Sequence, residues 1–211
     1  MSGVTFEDWT GVVQLAAAVV AAGVAIKLMD DWLDRELDAL TGRVTLAAAL
    51  GNGVIAYALA ALAIGMLLQP PVAGTLFLAA YALGMAHDAT RRLPTGLAAW
   101  QELLLAVGAG MLLAGPYVMV ASMVAMIFVQ CADDLLDWAE DRRRGLRSWA
   151  ERLGRVETAL VAGIALLVGF VLAPVLMGAV IVAAVLVDRT MHWAALRLLP
   201  TAGEREGEGS A

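Results

Sequence analysis

The chain reads as a succession of long apolar stretches separated by breaks of two kinds. A helix needs about 20 residues to cross a hydrocarbon core of about 30 Å. Seven stretches approach that length: Gly11–Met29, Val44–Leu68, Val72–Ala86, Leu97–Gly115, Pro116–Ala132, Val156–Ala173 and Val175–Leu198. The third, fifth and seventh have the shortest uninterrupted apolar runs. The seventh meets Asp188 and Arg189 before its pattern ends, which puts its last turns at a membrane interface as an amphipathic segment. The pattern predicts an all-α, polytopic transmembrane bundle of about seven helices, occupying residues 11–200. Met1–Thr10, with Glu7 and Asp8 where a secretory signal would be basic, reads as a short extracytoplasmic N-terminus. Residues 201–211, polar and glycine-rich, read as a disordered cytoplasmic tail.

The breaks alternate in character. Those marked by Pro70-Pro71, Pro116 and Pro174 are short and uncharged. The others, after the first, third and fifth stretches and at the C-terminal end, hold every basic residue, from Lys27, Arg35 and Arg43 to Arg197 and Arg205. Basic residues favour the cytoplasmic side, so the pattern predicts an outside N-terminus and an inside C-terminus in the cell membrane. Trp32, Trp138, Trp149 and Trp193 fall on the basic side and Trp9 on the other, as interfacial tryptophans do.

Composition agrees and narrows the field. Hydrophobic residues make up 61% of the 211 positions and charged residues 16%, with a mean hydropathy of +0.79. That leaves too little polar surface to cover a soluble domain and far too much apolar content for disorder. The net charge of −6 excludes the basic footprint of a nucleic-acid binder. A lone Cys131 forms no internal disulfide and, beside acidic residues, reads as a small packing side chain.

Chemistry concentrates in two acidic segments, DDWLDRELD (Asp30–Asp38) after the first stretch and DDLLDWAED (Asp133–Asp141) after the fifth. Aligned without gaps, Asp30, Asp31, Asp34 and Asp38 coincide with Asp133, Asp134, Asp137 and Asp141. In each copy the last three are spaced i, i+3, i+7, on one face of a continuing helix. Carboxylates repel one another and are disfavoured at a helix C-terminus, so a compensating cation is called for. Aspartate oxygens suit Mg²⁺, which binds through one or two carboxylates plus substrate phosphates. A single acidic run after a membrane helix is ordinarily a solvated loop; the same spacing twice on the same side is not explained that way.

With these residues in place, the chain resembles the UbiA superfamily of membrane prenyltransferases. The family's first motif, NDxxDxxxD, is similar to Asp30–Asp38, with Asp30 standing where the family has Asn. Its second, DxxDxxxDxxxG, is similar to Asp134, Asp137, Asp141 and Gly145, followed by Arg147 and by Arg152-Leu153-Gly154. Its basic third loop is similar to His87–Leu93, leading into Trp100-Gln101-Glu102-Leu103. The likeness runs from about Gly11 to Ala173. The family generally has nine membrane helices, with its motifs after the second and sixth; here they follow the first and fifth, so one helix is missing in front and one behind.

The resemblance implies Mg²⁺ as cofactor, with Asp30, Asp31, Asp34, Asp38, Asp134, Asp137 and Asp141 as its ligands. Asp31, Asp34, Asp134 and Asp137 are then the catalytic carboxylates. Arg91, Arg92 and Arg147 are candidates for the donor diphosphate, because a guanidinium matches phosphate oxygens in pairs; basic residues on an inner face also serve topology alone. The implied partners are an isoprenyl diphosphate donor, an unidentified lipophilic acceptor (aromatic or otherwise) and membrane lipid. The missing front helix helps shape the family's acceptor pocket, which leaves a lipid-walled monomer, a homo-oligomer and a helper subunit all open. Two further readings stay open: a relative turned to terpene cyclisation or simple diphosphate release, and a non-enzymatic divalent-cation binding or transport protein. A transport path calls for carboxylates at helix centres, where they are almost absent. Among lesser candidates, Tyr57, Tyr81 and Tyr117 are positions that could face a cavity. Gly51-Asn52-Gly53 and the Gly108, Gly110 and Gly115 group suit close helix approach, with Asn52 hydrogen bonding between helices. His87 and His192 look isolated.

Overall fold

A computed structural model describes residues 9–41, 44–86, 88–144 and 149–198. The chain is an all-helical bundle. Its helices are α1 (Trp9–Leu33), α2 (Arg35–Thr41), α3 (Leu46–Leu50), α4 (Val54–Leu68), α5 (Pro70–Ala86), α6 (Ala99–Ala114), α7 (Pro116–Arg144), α8 (Trp149–Arg152), α9 (Arg155–Leu172) and α10 (Pro174–Leu198). Each of the seven apolar stretches becomes helical, and among the described residues five helical spans are long and apolar enough to cross a membrane: Thr10–Leu33, Leu46–Leu68, Pro116–Trp138, Arg155–Leu172 and Pro174–Leu198. The short ones are α5 and α6, with 17 and 16 residues. The fifth and seventh stretches, marked as short from their apolar runs, are carried by helices of 29 and 25 residues, because charged turns extend them beyond the apolar run. The second stretch is broken by a 3₁₀ turn over Gly51–Gly53, where Gly51 adopts a positive φ of 55°. Asn52 sits exposed in that turn rather than bonding between helices.

Three corners share one construction. Gln69, Gly115 and Ala173 each form a one-residue connection whose N–H bonds back into the preceding helix: to the carbonyls of Gly65, Met111 and Gly169. Proline opens the next helix at Pro70, Pro116 and Pro174, at the position where a missing N–H costs nothing. So tight a corner forces the paired helices together. A Cβ added at Gly65 would stand 3.0 Å from Ala73 Cβ and 3.3 Å from the Ala18 carbonyl oxygen. Gly110 and Gly169 likewise lie against Met119 and Met177 across their corners.

The core is built mainly from small side chains, which lets helices pack closely without a hydrophobic drive between them. Helix α1 lies against α4, α5 and α10, while α7 lies against α5, α6, α9 and α10. Leu15, Val19 and Ala22 of α1 pack with Leu76 of α5, Met119 and Ala125 of α7, and Met177 and Val180 of α10. Large apolar residues face outward instead, Leu67, Leu112 and Val171 among them, with Leu112 91% exposed. Water would not tolerate such a surface over a whole molecule, and lipid would. This is the surface of a membrane protein.

The register between α5 and α7 is fixed by one buried polar contact. The Thr75 and Ser122 hydroxyls lie 2.8 Å apart with both residues fully buried. The Thr75 hydroxyl also reaches the Pro71 carbonyl at 2.6 Å. The connection over residues 87–98 and the one-residue corner at Gly115 each reverse the chain, so α5 and α7 run in the same direction and equal steps along each keep roughly level. Eleven residues beyond Thr75 is Ala86, the end of α5; eleven beyond Ser122 is Asp133. The end of α5 therefore stands level with the second acidic segment.

Candidate functional site

The first acidic segment closes α1. Asp31 is buried, and its Oδ1 accepts the Lys27 ammonium at 3.1 Å, one turn back. Regular helix pauses at Asp34, between α1 and α2, yet the Asp34 and Asp38 N–H groups still reach the Asp30 and Asp34 carbonyls at 3.0 and 2.9 Å. The chain thus bends without breaking its hydrogen-bond ladder. Asp31 and Asp38, two turns apart, are buried while Asp30 and Asp34 are exposed, so Asp34 does not share its neighbours' buried face. Arg35 folds back on this bend: it donates to the Trp32 carbonyl at 2.8 Å and lies 4.2 Å over the Trp32 ring.

The second segment lies within α7, which runs on unbroken to Arg144. Asp134 is buried and accepts from Gln130 Nε2 at 3.3 Å; Asp133 is exposed and Asp137 half-buried. The two copies thus bury the same member, Asp31 in one and Asp134 in the other, and expose the Asp before it. Trp138 takes the Arg155 guanidinium 5.1 Å over its ring, tying the end of α7 to the start of α9. Asp34, Asp38, Asp133, Asp134 and Asp137 each engage in further hydrogen-bonding or electrostatic interactions. The Asp141 side chain and Arg147 lie outside the described residues.

Helices α1 and α7 are both packed against α5 and α10, and Asp133 of α7 lies near enough to Lys27 and Asp30 of α1 to act on both electrostatically. Among the described residues, no three His, Cys, Asp or Glu side chains converge closely enough to hold a metal ion by themselves. The donors are nevertheless all hard oxygens, and Mg²⁺ commonly binds through one or two carboxylates while substrate phosphates and water complete its shell. The arrangement fits an ion shared with a phosphate ligand and not a protein-only cage.

The basic pair Arg91-Arg92 lies on a tight hairpin over residues 88–98, between α5 and α6. Its ladder is continuous: Leu93 N–H bonds to the Leu97 carbonyl at 2.9 Å, Ala99 N–H to Arg91 at 2.9 Å and Trp100 N–H to Ala89 at 3.0 Å. Both arginines are exposed and neither makes an ion pair among the described residues.

Two arrangements could not be read from the sequence, although Glu102, Tyr81 and His192 stand among its candidates. Glu102, in the first turn of α6, is buried, and its two carboxylate oxygens accept from the hydroxyls of Tyr81 on α5 and Thr95 on the hairpin. Of the three tyrosines, Tyr81 thus has a buried partner, whereas Tyr117 reaches the Leu172 carbonyl and Tyr57 stays exposed. The second feature is a polar cleft of about 40 Å³ where Lys27 and Asp31 meet Thr45, Asp188, Met191 and His192. His192, itself exposed, lines this cleft. The i, i+4 spacing of Asp188 and His192 was its only signal in the sequence.

No protein-family model, curated protein or solved structure matches the chain. The likeness to membrane prenyltransferases accordingly rests on the chain's own residues.

Proposed function

We propose that this protein is an integral-membrane prenyltransferase of the UbiA type, which ionises an allylic isoprenyl diphosphate and transfers the prenyl group to a lipophilic acceptor. The reading takes all seven apolar helices as membrane-embedded, with the N-terminus outside and both acidic segments at the cytoplasmic face of the cell membrane; the one-sided distribution of basic residues supports it. One observation carries the function. Two acidic segments of identical spacing, ending α1 and within α7, bury the same member of each, Asp31 and Asp134, and come within electrostatic reach of one another through Asp133 and Asp30.

Mg²⁺ held by Asp31 and Asp34 on one side and by Asp134 and Asp137 on the other, with Asp30, Asp38 and Asp141 around them, would supply positive charge to the donor diphosphate. Arg91, Arg92 and Arg147 would neutralise the remaining oxygens in this reading. As the allylic C–O bond breaks, its electron pair leaves with the diphosphate, where fixed positive charge stabilises it. The acceptor then donates an electron pair to the allylic carbon and gives up a proton. The apolar helix walls keep water from the cationic carbon, which water would otherwise quench. The test is diphosphate release from a panel of isoprenyl diphosphates, with and without Mg²⁺ and with and without aromatic or quinone-like acceptors. Mg²⁺-dependent release that requires an acceptor supports transfer. Release without any acceptor would turn the assignment to cyclisation or hydrolysis, and no release from any donor would refute it.

A further inference from the structure

Glu102 is remote in sequence from both acidic segments, yet it is a buried carboxylate satisfied at both oxygens. Burying a charge is costly unless it is fully hydrogen-bonded, so such a group persists where it holds something in place. What Glu102 joins is specific. Tyr81 comes from α5, Glu102 from α6, and Thr95 from the far side of the hairpin that carries Arg91 and Arg92. Gln101, next to it, caps the Ala98 N–H at 2.9 Å. The hairpin is thus clamped to both helices that flank it, through its backbone ladder and through one carboxylate. Its arginines remain exposed and make no ion pair among the described residues. The register set by Thr75 and Ser122 brings the end of α5, where the hairpin starts, level with Asp133.

We infer that Glu102 is a positioning residue: with Tyr81 and Thr95 it holds the Arg91-Arg92 hairpin rigid beside the acidic segments, as a preformed clamp for the diphosphate of the donor. The inference rests on the prenyltransferase reading and adds the device that orients its cationic half. Long side chains lose entropy when they bind, and a support fixed beforehand reduces that cost. The same arginines on a slack loop would bind the same anion less tightly.

The probe is inorganic pyrophosphate with Mg²⁺, titrated calorimetrically against the full chain in detergent, with hydrogen exchange of the hairpin amides followed in parallel. Glu102→Gln, Tyr81→Phe and Thr95→Val should each weaken pyrophosphate binding on the order of tenfold, one charge-assisted hydrogen bond's worth, and speed exchange across residues 88–98. Thr95→Ser, which keeps the hydroxyl, should restore both. In a background of Arg91→Ala with Arg92→Ala, which should itself bind weakly, Glu102→Gln should cost nothing more. If that double variant binds weakly but Glu102→Gln, Tyr81→Phe and Thr95→Val all bind normally, or if the Glu102 loss adds in full to the arginine loss, the positioning role is overturned. If removing both arginines leaves pyrophosphate affinity unchanged, the donor-binding role of the hairpin falls, and the inference with it.

Discussion

Asp31 has two roles in this account, as partner of Lys27 and as ligand to a metal shared with diphosphate, and the two can be separated. The pair is close at 3.1 Å, but its members differ in burial: the Asp31 side chain is 8% exposed and the Lys27 side chain 26%. Exposed pairs are worth about 0–1 kcal/mol, and breaking a buried one costs about 3–5 kcal/mol. A pair with one member buried and the other partly open to solvent belongs between, at roughly 1–2 kcal/mol. For a chain of this size each kcal/mol moves the melting temperature by about 2–4 °C. Asp31→Asn and Lys27→Met should each lower it, and the double variant should recover most of the loss, since it removes both charges together. Binding should divide differently. Residues that only orient a metal ligand alter metal affinity by about 10–100-fold, so removing a ligand should weaken Mg²⁺-dependent pyrophosphate binding by more than that. Asp31→Asn and the double variant should therefore both fail to bind, while Lys27→Met binds with its Mg²⁺ dependence intact. Thermal unfolding in detergent and calorimetric titration on the same samples give both readouts. Recovery of binding in the double variant, or loss of binding in Lys27→Met equal to that in Asp31→Asn, would refute the division.

Three further outcomes follow from the geometry. Cysteines introduced at Ser2 and Ser210, with Cys131 replaced, should label from opposite sides of the membrane; labelling from one side would mean an even number of crossings. Ser122→Ala removes the buried partner of Thr75 and should cost about 0.6 kcal/mol, the average for such a bond between membrane helices, measured as a fall in melting temperature. Gly65→Ala places a methyl 3.0 Å from Ala73 Cβ and 3.3 Å from the Ala18 carbonyl, groups fixed to backbone, and should destabilise by about 1–3 kcal/mol. Gly163→Ala, with nothing within 4 Å, is its control and should be neutral or slightly stabilising.

Hydropathy located the helices because a chain in lipid must satisfy its backbone within each segment, which makes an apolar run and a helix nearly the same statement. It was blind to helix that continues through charge. The last turns of α7, from Asp133 to Arg144, carry no apolar run, and neither does the bend at Asp34 that joins α1 to α2. The duplication of the acidic segments was legible because it is a matter of spacing. Their nearness was not, since it depends on α1 and α7 both packing against α5 and α10. Glu102 stood in plain view, but its significance lies in hydroxyls 21 residues before it and 7 before it in the chain. Asp188 and His192 meet Lys27 and Asp31 only because α10 lies against α1.

Helix length then becomes a statement about charge. At 1.5 Å per residue α5 and α6 are each about 25 Å long, short of a hydrocarbon core of about 30 Å. Their far ends are fixed by the corners at Gln69 and Gly115, and α5 is tied to α7 through Thr75 and Ser122. The pair therefore turns back at the level of Asp133, while α7 runs on for about three more turns. A hairpin bearing two arginines is left low, with a longer acidic helix rising beside it. Longer α5 and α6 helices would carry those arginines past the carboxylates and into the surface charge of the membrane. On the prenyltransferase reading, arginines held at this height and a metal on the carboxylates would approach a diphosphate from two sides. On that reading the two short helices, the weakest spans by length, set the height of the basic loop.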